Sequence, residues 1–210
     1  MNLLNISKVL VRQRKELAEL FGFETRNKYE ISDDQGNVIG FCAEQQKGLL
    51  GFLFRQFVGH WRSFELHFFD ENRNTFMTSV HPFRFFFQEF EVFDSRLMTL
   101  GFVKQRWGIL RKKFDVQNSR GEVIFEMRSG FFQFWTFPFF DLQGFEKAVI
   151  KKKWSGLLTE MFLDADHFMV LFSDSRLTQE ERSLILAASV FTDLQYFEKK
   201  ASGSQNFIGD

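Results

Sequence analysis

The segment that most constrains the fold is 177–200, LTQEERSLILAASVFTDLQYFEKK. It opens with a capping box: Thr178 precedes Glu181 by three positions, so the hydroxyl takes one orphan helix amide and the carboxylate reaches back to another. Leu184, Ile185, Leu186, Ala187, Ala188, Val190, Phe191 and Leu194 then cover every side of the helix. A helix that is apolar all round is either buried or spans a membrane. The uncharged stretch between Arg182 and Asp193 holds ten residues. At about 1.5 Å per residue that is about 15 Å, against a hydrocarbon core about 30 Å thick. Ser189, Thr192 and Asp193 would also be costly in lipid. The helix is therefore expected inside protein, and the rest of the chain must supply the wall around it.

That wall reads as strands. KYEISDDQGNVIGFCAE (28–44), SFELHFFDENRNTFMTS (63–79) and KKFDVQNSRGEVIFEMR (112–128) each alternate, turn on Asp, Asn and Gly, and alternate again. Those turn residues tolerate the positive φ that hairpins need. Alternation puts Tyr29 and Ile31, or Phe114 and Val116, on one face of a strand. Further strand-like runs occupy 84–93, 97–103, 130–137, 145–150 and 166–172. Together they predict an antiparallel meander of about ten to twelve strands. One other segment, 12–21 (RQRKELAELF), has helical spacing and predicts a short amphipathic turn or helix. The expected fold is mainly β: a closed antiparallel barrel of about twelve strands around one buried C-terminal helix. A single domain over 1–200 and a flexible tail at 201–210 complete the expectation.

Composition excludes several functions. Lys plus Arg equals Asp plus Glu at 27 each, so no global basic field points to nucleic acid. Cys42 is the only cysteine, which fits a reducing, cytoplasmic setting and burial as a small hydrophobe. The first twenty residues lack an apolar run with a cleavage site, and no window of about 18 apolar residues exists, so neither a secretory signal nor a spanning helix is expected. His60, His67, His81 and His167 lack metal-ligand spacing, which favours structural roles. No Ser–His–Asp order, Gly-rich phosphate loop or paired-carboxylate motif stands in the chain, so hydrolytic and redox chemistry is disfavoured and no cofactor is assigned.

KKKWSGLLTEMFLDADHFMVLF (151–172), with YFE (196–198) at the end of the helix, resembles the phospholipid scramblase family. GFETRNKYEI (22–31), GFVKQRW (101–107) and KKFDVQNSRGEV (112–123) resemble further blocks of that family, in order over roughly 8–200. The family is similar to the tubby C-terminal domain, a barrel of twelve strands around a central helix. The resemblance implies a membrane-associated lipid protein, linked to calcium-triggered movement of phospholipid between leaflets and to nuclear signalling. The Pro-rich N-terminal extension of animal members has no counterpart in this sequence, so recognition through PxxP segments is not expected. The two cysteine clusters that take palmitate in animal members fall on FRFFFQEF and FFQFWTFPFF, where this chain has no cysteine.

Those two clusters are the first candidate site. A strand with a solvated outside is apolar on one face only, yet 83–93 and 131–140 are apolar at both parities. Phe85, Phe86, Phe87 and Phe90, with Phe131, Phe132, Phe134 and Trp135, are therefore candidate membrane contacts that take the place of palmitoyl-cysteine. The second candidate site is basic. Lys151, Lys152 and Lys153 precede Trp154, and Arg111, Lys112 and Lys113 follow Trp107. Lysines attract anionic headgroups and Trp favours the interface; the bland alternative is solvated lysine guarding strand edges. The third is Asp164 and Asp166, where the resemblance places a calcium loop. An EF-hand template needs more oxygen ligands than these two carboxylates, so they make a weak calcium candidate or a strand-capping turn. The partner expected is an anionic phospholipid surface. The rival reading is a signalling module that uses the barrel as a protein-interaction scaffold.

Overall fold

The computed structural model describes residues 1–14, 25–45, 63–82, 87–106, 113–128, 136–152 and 167–196. Among these, twelve strands close into an antiparallel barrel: β1 (Lys8–Gln13), β2 (Thr25–Ser32), β3 (Val38–Gln45), β4 (Phe64–Asp70), β5 (Thr75–His81), β6 (Glu89–Asp94), β7 (Thr99–Arg106), β8 (Lys113–Asn118), β9 (Val123–Arg128), β10 (Thr136–Phe140), β11 (Glu146–Lys152) and β12 (His167–Phe172). Each strand pairs with its neighbours in sequence, and β12 returns to β1 with Val11 opposite Phe168. The helix α1 (Gln179–Tyr196) follows β12.

Five hairpins turn in one way. Asp33, Asp70, Asp94, Asn118 and Asp141 each begin a five-residue turn whose side-chain Oδ1 accepts the amides two and four residues on. The first amide donates to the fifth carbonyl and the fourth amide donates back to the first. The fourth residue is left at positive φ: Gly36, Arg73, Leu97, Gly121 and Gly144. Short polar side chains that satisfy their own backbone make such turns without help from the rest of the fold.

Alternation inside the barrel is as expected. Val9 and Val11, Tyr29 and Ile31, Leu66 and Phe68, Phe114 and Val116, and Val170 and Phe172 meet α1 in one buried cluster. Along α1, no residue from Arg182 to Leu194 is more than 5% exposed. The capping box forms in both directions, Glu181 N to Thr178 Oγ1 at 3.2 Å and Thr178 N to Glu181 Oε2 at 2.8 Å. Three hydroxyls of α1 are satisfied by its own carbonyls: Ser183 bonds Gln179 O, Ser189 bonds Leu186 O, and Thr192 bonds Ala188 O. The helix lies close to β7 because residue 101 has no side chain. A Cβ there would stand 3.0 Å from a Leu184 methyl and 2.1 Å from the Gln117 carbonyl oxygen.

Two expectations need correction. Arg12 and Gln13 end strand β1 rather than begin a helix, because Val9 and Val11 need the inward face; 15–21 lies outside the described residues. The runs at 97–103 and 145–150 begin two and one residues early: Leu97, Met98 and Phe145 are turn residues, and the strands start at Thr99 and Glu146. The tail at 201–210 also lies outside the described residues.

Candidate functional site

Because successive strands run in opposite directions, the five Asx turns and the start of α1 share one end of the barrel. The strand ends at Gln13, Gln45, His81, Arg106, Arg128 and Lys152 share the other. Of the candidate residues from the sequence, Phe87, Phe90, Lys113, Lys151 and Lys152 are among the described residues, and these five lie at or near that second end. Phe85, Phe86, Phe131, Phe132, Phe134, Trp135, Arg111, Lys112, Lys153, Trp154, Asp164 and Asp166 lie outside the described residues.

Phe87 is 52% exposed and held at φ 50°, an unusual place for a bulky side chain. Phe90 departs from the expectation. It is fully buried, with its ring 5.0 Å from that of Phe191 on α1. The physical reason is strand parity: β6 turns Phe90 and Val92 inward, and a register shift after Val92 displaces Phe93. In β10 the inward residues are Phe137 and Phe139, so part of the second phenylalanine cluster is likewise core. Lys113 begins β8, and Lys151, exposed, lies opposite Met169 of β12. The two lysines stand on strands three apart in the ring.

Behind this end, the barrel interior is aromatic and polar. Phe191 gathers Phe64, His81, Phe90 and Phe114, with His81 stacked on Phe64 at 4.7 Å. Gln13 Nε2 donates to Asn27 Oδ1 at 2.8 Å, and Asn27 Nδ2 donates to the buried Glu44 carboxylate at 2.7 Å. The Tyr29 hydroxyl donates to Asp193 at 3.0 Å, tying β2 to the last turns of α1. The sequence reading missed this chain of groups. The available signal was parity, since Asn27 and Glu44 share the inward faces of Tyr29 and Cys42. Burial first, and the Glu44 charge second, push the Cys42 thiol well above its ordinary value, so it behaves as packing rather than as a nucleophile. His67 meets Gln45 at 3.1 Å on the outer face.

The turn end is sealed by Arg182. Its guanidinium, 2% exposed, donates to the carbonyls of Leu177 (3.1 Å), Leu3 (3.1 Å) and Ile6 (2.6 Å), with Ser175 and Asp174 at 3.4 and 3.5 Å. It also lies 4.6 Å over the Phe172 ring. Gln179 Oε1 accepts the Leu3 amide at 2.9 Å. The first seven residues are thus tied across the barrel mouth, and burial lowers the arginine from its ordinary value.

The sequence pattern of the family described as Scramblase matches residues 1–199. The chain belongs to the scramblase family. The yeast Saccharomyces cerevisiae protein named Altered inheritance rate of mitochondria protein 25 is 26% identical over 98% of this chain and 75% of its own length. Human Phospholipid scramblase 1 is 29% identical over 95% of this chain and 66% of its own length. An Arabidopsis thaliana X-ray structure aligns over 89% of this chain and 90% of its own at 12% identity, with a TM-score of 0.47. In this scramblase-family chain no described helix is long and apolar enough to cross a membrane. Among the described residues no three His, Cys, Asp or Glu side chains converge as a metal site.

Proposed function

We propose that this chain is a scramblase-like peripheral protein that binds phospholipid at the cytoplasmic face of a membrane and assists its movement between leaflets. The observation that carries the reading is the family match over 1–199, with relatives named phospholipid scramblases. Two features support it. Phe87 is exposed at the barrel end away from the Asx turns, and Lys113 and Lys151 flank the same end. In this reading Lys151, Lys152, Lys153, Arg111, Lys112 and Lys113 attract anionic headgroups, each worth about 1 kcal/mol near the surface. Phe85, Phe86, Phe87, Phe131, Phe132, Phe134, Trp135 and Trp154 enter the interface, where each buried ring contributes about 1–3 kcal/mol. Asp164 and Asp166, with backbone oxygens, hold calcium weakly.

The test is a fluorescent-lipid scrambling assay in proteoliposomes, with and without calcium, beside co-sedimentation on the same vesicles. Binding with scrambling supports the whole reading. Binding without scrambling reduces it to a lipid-binding module. Absence of binding to anionic vesicles refutes it and turns attention to a protein partner. Changing Phe85, Phe86, Phe132 and Phe134 to Ser is expected to weaken binding while circular dichroism stays unchanged.

A further inference from the structure

The repeated turn shows what its geometry requires and what exceeds it. In the fifth slot Asn37, Asn74 and Glu122 return their side chains to the first residue, at 3.0, 3.2 and 2.7 Å. The turns at 94–98 and 141–145 instead place Met98 and Phe145 there, 66% and 67% exposed. In the fourth slot, three turns use glycine at positive φ and the 70–74 turn uses the charged Arg73 at φ 65°; the 94–98 turn alone places an apolar side chain there, Leu97, at φ 61° and 73% exposed. In the second slot Asp34, Glu71, Ser95 and Ser119 are polar, while Leu142 is 66% exposed. A strained leucine and three further apolar tips serve neither the turn nor the core. Strain kept at an exposed position points to function.

We infer that this rim sector, Leu97, Met98, Leu142 and Phe145 with Arg96 and Arg120, inserts into an anionic lipid surface. The inference rests on the lipid-binding reading above and gives it a second contact. Charge selects the occupant. The turns at 33–37 and 70–74 carry net −2 and −1, whereas those at 94–98, 118–122 and 141–145 carry zero, zero and −1. That last charge, Asp141, is held by Lys147 at 3.1 Å. Arg96 and Arg120 are exposed third-slot residues and are not among the ion-paired arginines Arg14, Arg106, Arg128 and Arg176. The apolar tips therefore stand on the side of the rim that an anionic surface repels least. They also stand apart: β6–β7 and β10–β11 are four strand spacings from each other, roughly 19 Å around the rim at about 4.8 Å per strand. A fluid interface admits two separate protrusions with an arginine between them, whereas a folded partner needs two matching pockets. The same strands, β6 to β11, border the basic and phenylalanine clusters at the other end. One side of the barrel therefore carries both contacts.

The sister turns supply a fold-neutral variant: Leu97→Gly, Met98→Asn, Leu142→Ser and Phe145→Asn, each a residue already used in that slot, with no change of charge. Co-sedimentation of the full chain with phosphatidylcholine vesicles, with and without phosphatidylserine, is the readout. The variant is expected to bind phosphatidylserine vesicles at least about tenfold more weakly and to melt no lower than the wild type. Leu97→Gly alone, which relieves the backbone strain and removes one apolar tip, is expected to weaken binding about threefold, and it keeps the test alive if the fourfold variant fails to fold. Arg96→Gln with Arg120→Gln is expected to reduce the preference for phosphatidylserine without altering binding to neutral vesicles. Wild-type binding that the tip variants leave unchanged overturns this inference and leaves the lipid-binding reading standing. A wild type that binds no vesicle overturns both.

Discussion

Replacing Arg182 by Met keeps the aliphatic stem inside the barrel and removes the guanidinium. Three carbonyls, of Leu177, Leu3 and Ile6, lie within 3.1 Å of its nitrogens and lose their donor. Hydrogen bonds to a charged group contribute about 1.5–3 kcal/mol each, so the gross loss is about 5–9 kcal/mol. The contact with the Phe172 ring adds about 1 kcal/mol. Against this, the variant no longer buries an ion, which itself costs several kcal/mol. The expected net destabilisation is about 2–4 kcal/mol. At about 2–4 °C per kcal/mol for a chain of this size, melting falls by about 4–16 °C. Urea denaturation followed by circular dichroism measures it, and amide exchange locates it. The Leu3 and Ile6 amides, in the segment tied across the mouth, should exchange faster than those of the α1 core. Arg182→Lys should recover less than half of the loss, because one ammonium cannot serve carbonyls spread around a planar fork. A change below about 1 kcal/mol in Arg182→Met would refute the reasoning, since desolvation would then cancel the bonds completely.

Two further outcomes follow from local geometry. Gly101→Ala should cost at least about 2 kcal/mol by the usual scale of overpacking, and Leu184→Ala should not rescue it, because the tighter clash is with the Gln117 backbone oxygen at 2.1 Å; thermal melting of the single and double variants decides this. The Arg176 guanidinium first, and the Lys147 ammonium second, hold the Asp174 carboxyl far below the usual carboxylate range. Stability from a depressed acid is complete above its unfolded pKa of about 3.9 and disappears as pH falls through the folded value. The difference in urea midpoint between wild type and Asp174→Asn should therefore be constant at neutral pH and narrow below about pH 4.

What was legible in the sequence is what local rules decide. The hairpins at 28–44, 63–79 and 112–128 carry their turn chemistry on consecutive residues, so their strands were readable without the barrel. The Thr178–Glu181 cap and the all-round apolar face of α1 were readable for the same reason. Strand β1 was not, because Val9, Leu10 and Val11 are apolar at both parities and the charged residues that follow mimic helical spacing. Its strand state comes from closure, the pairing of Val11 with Phe168 and with Ile31. Parity misassigned Phe90 because the sequence does not show which face of a strand meets a helix more than ninety residues away. Arg182 read as the polar boundary of an apolar helix; its carbonyl partners at Leu3 and Ile6 lie at the other end of the chain. In sequence the exposed tips look like strand, since Leu97, Met98 and Phe145 continue an apolar pattern. Only comparison among the five turns shows them as additions.

The position of α1 limits how such a protein can act on a bilayer. Arg182 to Leu194 are buried, and Phe191 alone joins side chains from β4, β5, β6 and β8. Withdrawing the helix to insert it would strip the core from these strands and break the Tyr29–Asp193 and Arg182 ties at its two ends. Large-to-small changes at single core positions already cost about 2–5 kcal/mol each, so losing a whole core helix exceeds the typical stability of a domain, about 5–15 kcal/mol. In the lipid-binding reading proposed above, the folded barrel therefore meets lipid with its outside. Of the seven exposed large apolar residues among those described, Phe87, Leu97, Met98, Leu142 and Phe145 stand on the connections or turns of β5 to β11, and the two less exposed, Leu4 and Val38, stand elsewhere. Disturbing a leaflet from that side requires no rearrangement of the core, and that is why a chain with so buried a helix can be read as acting on membranes at all.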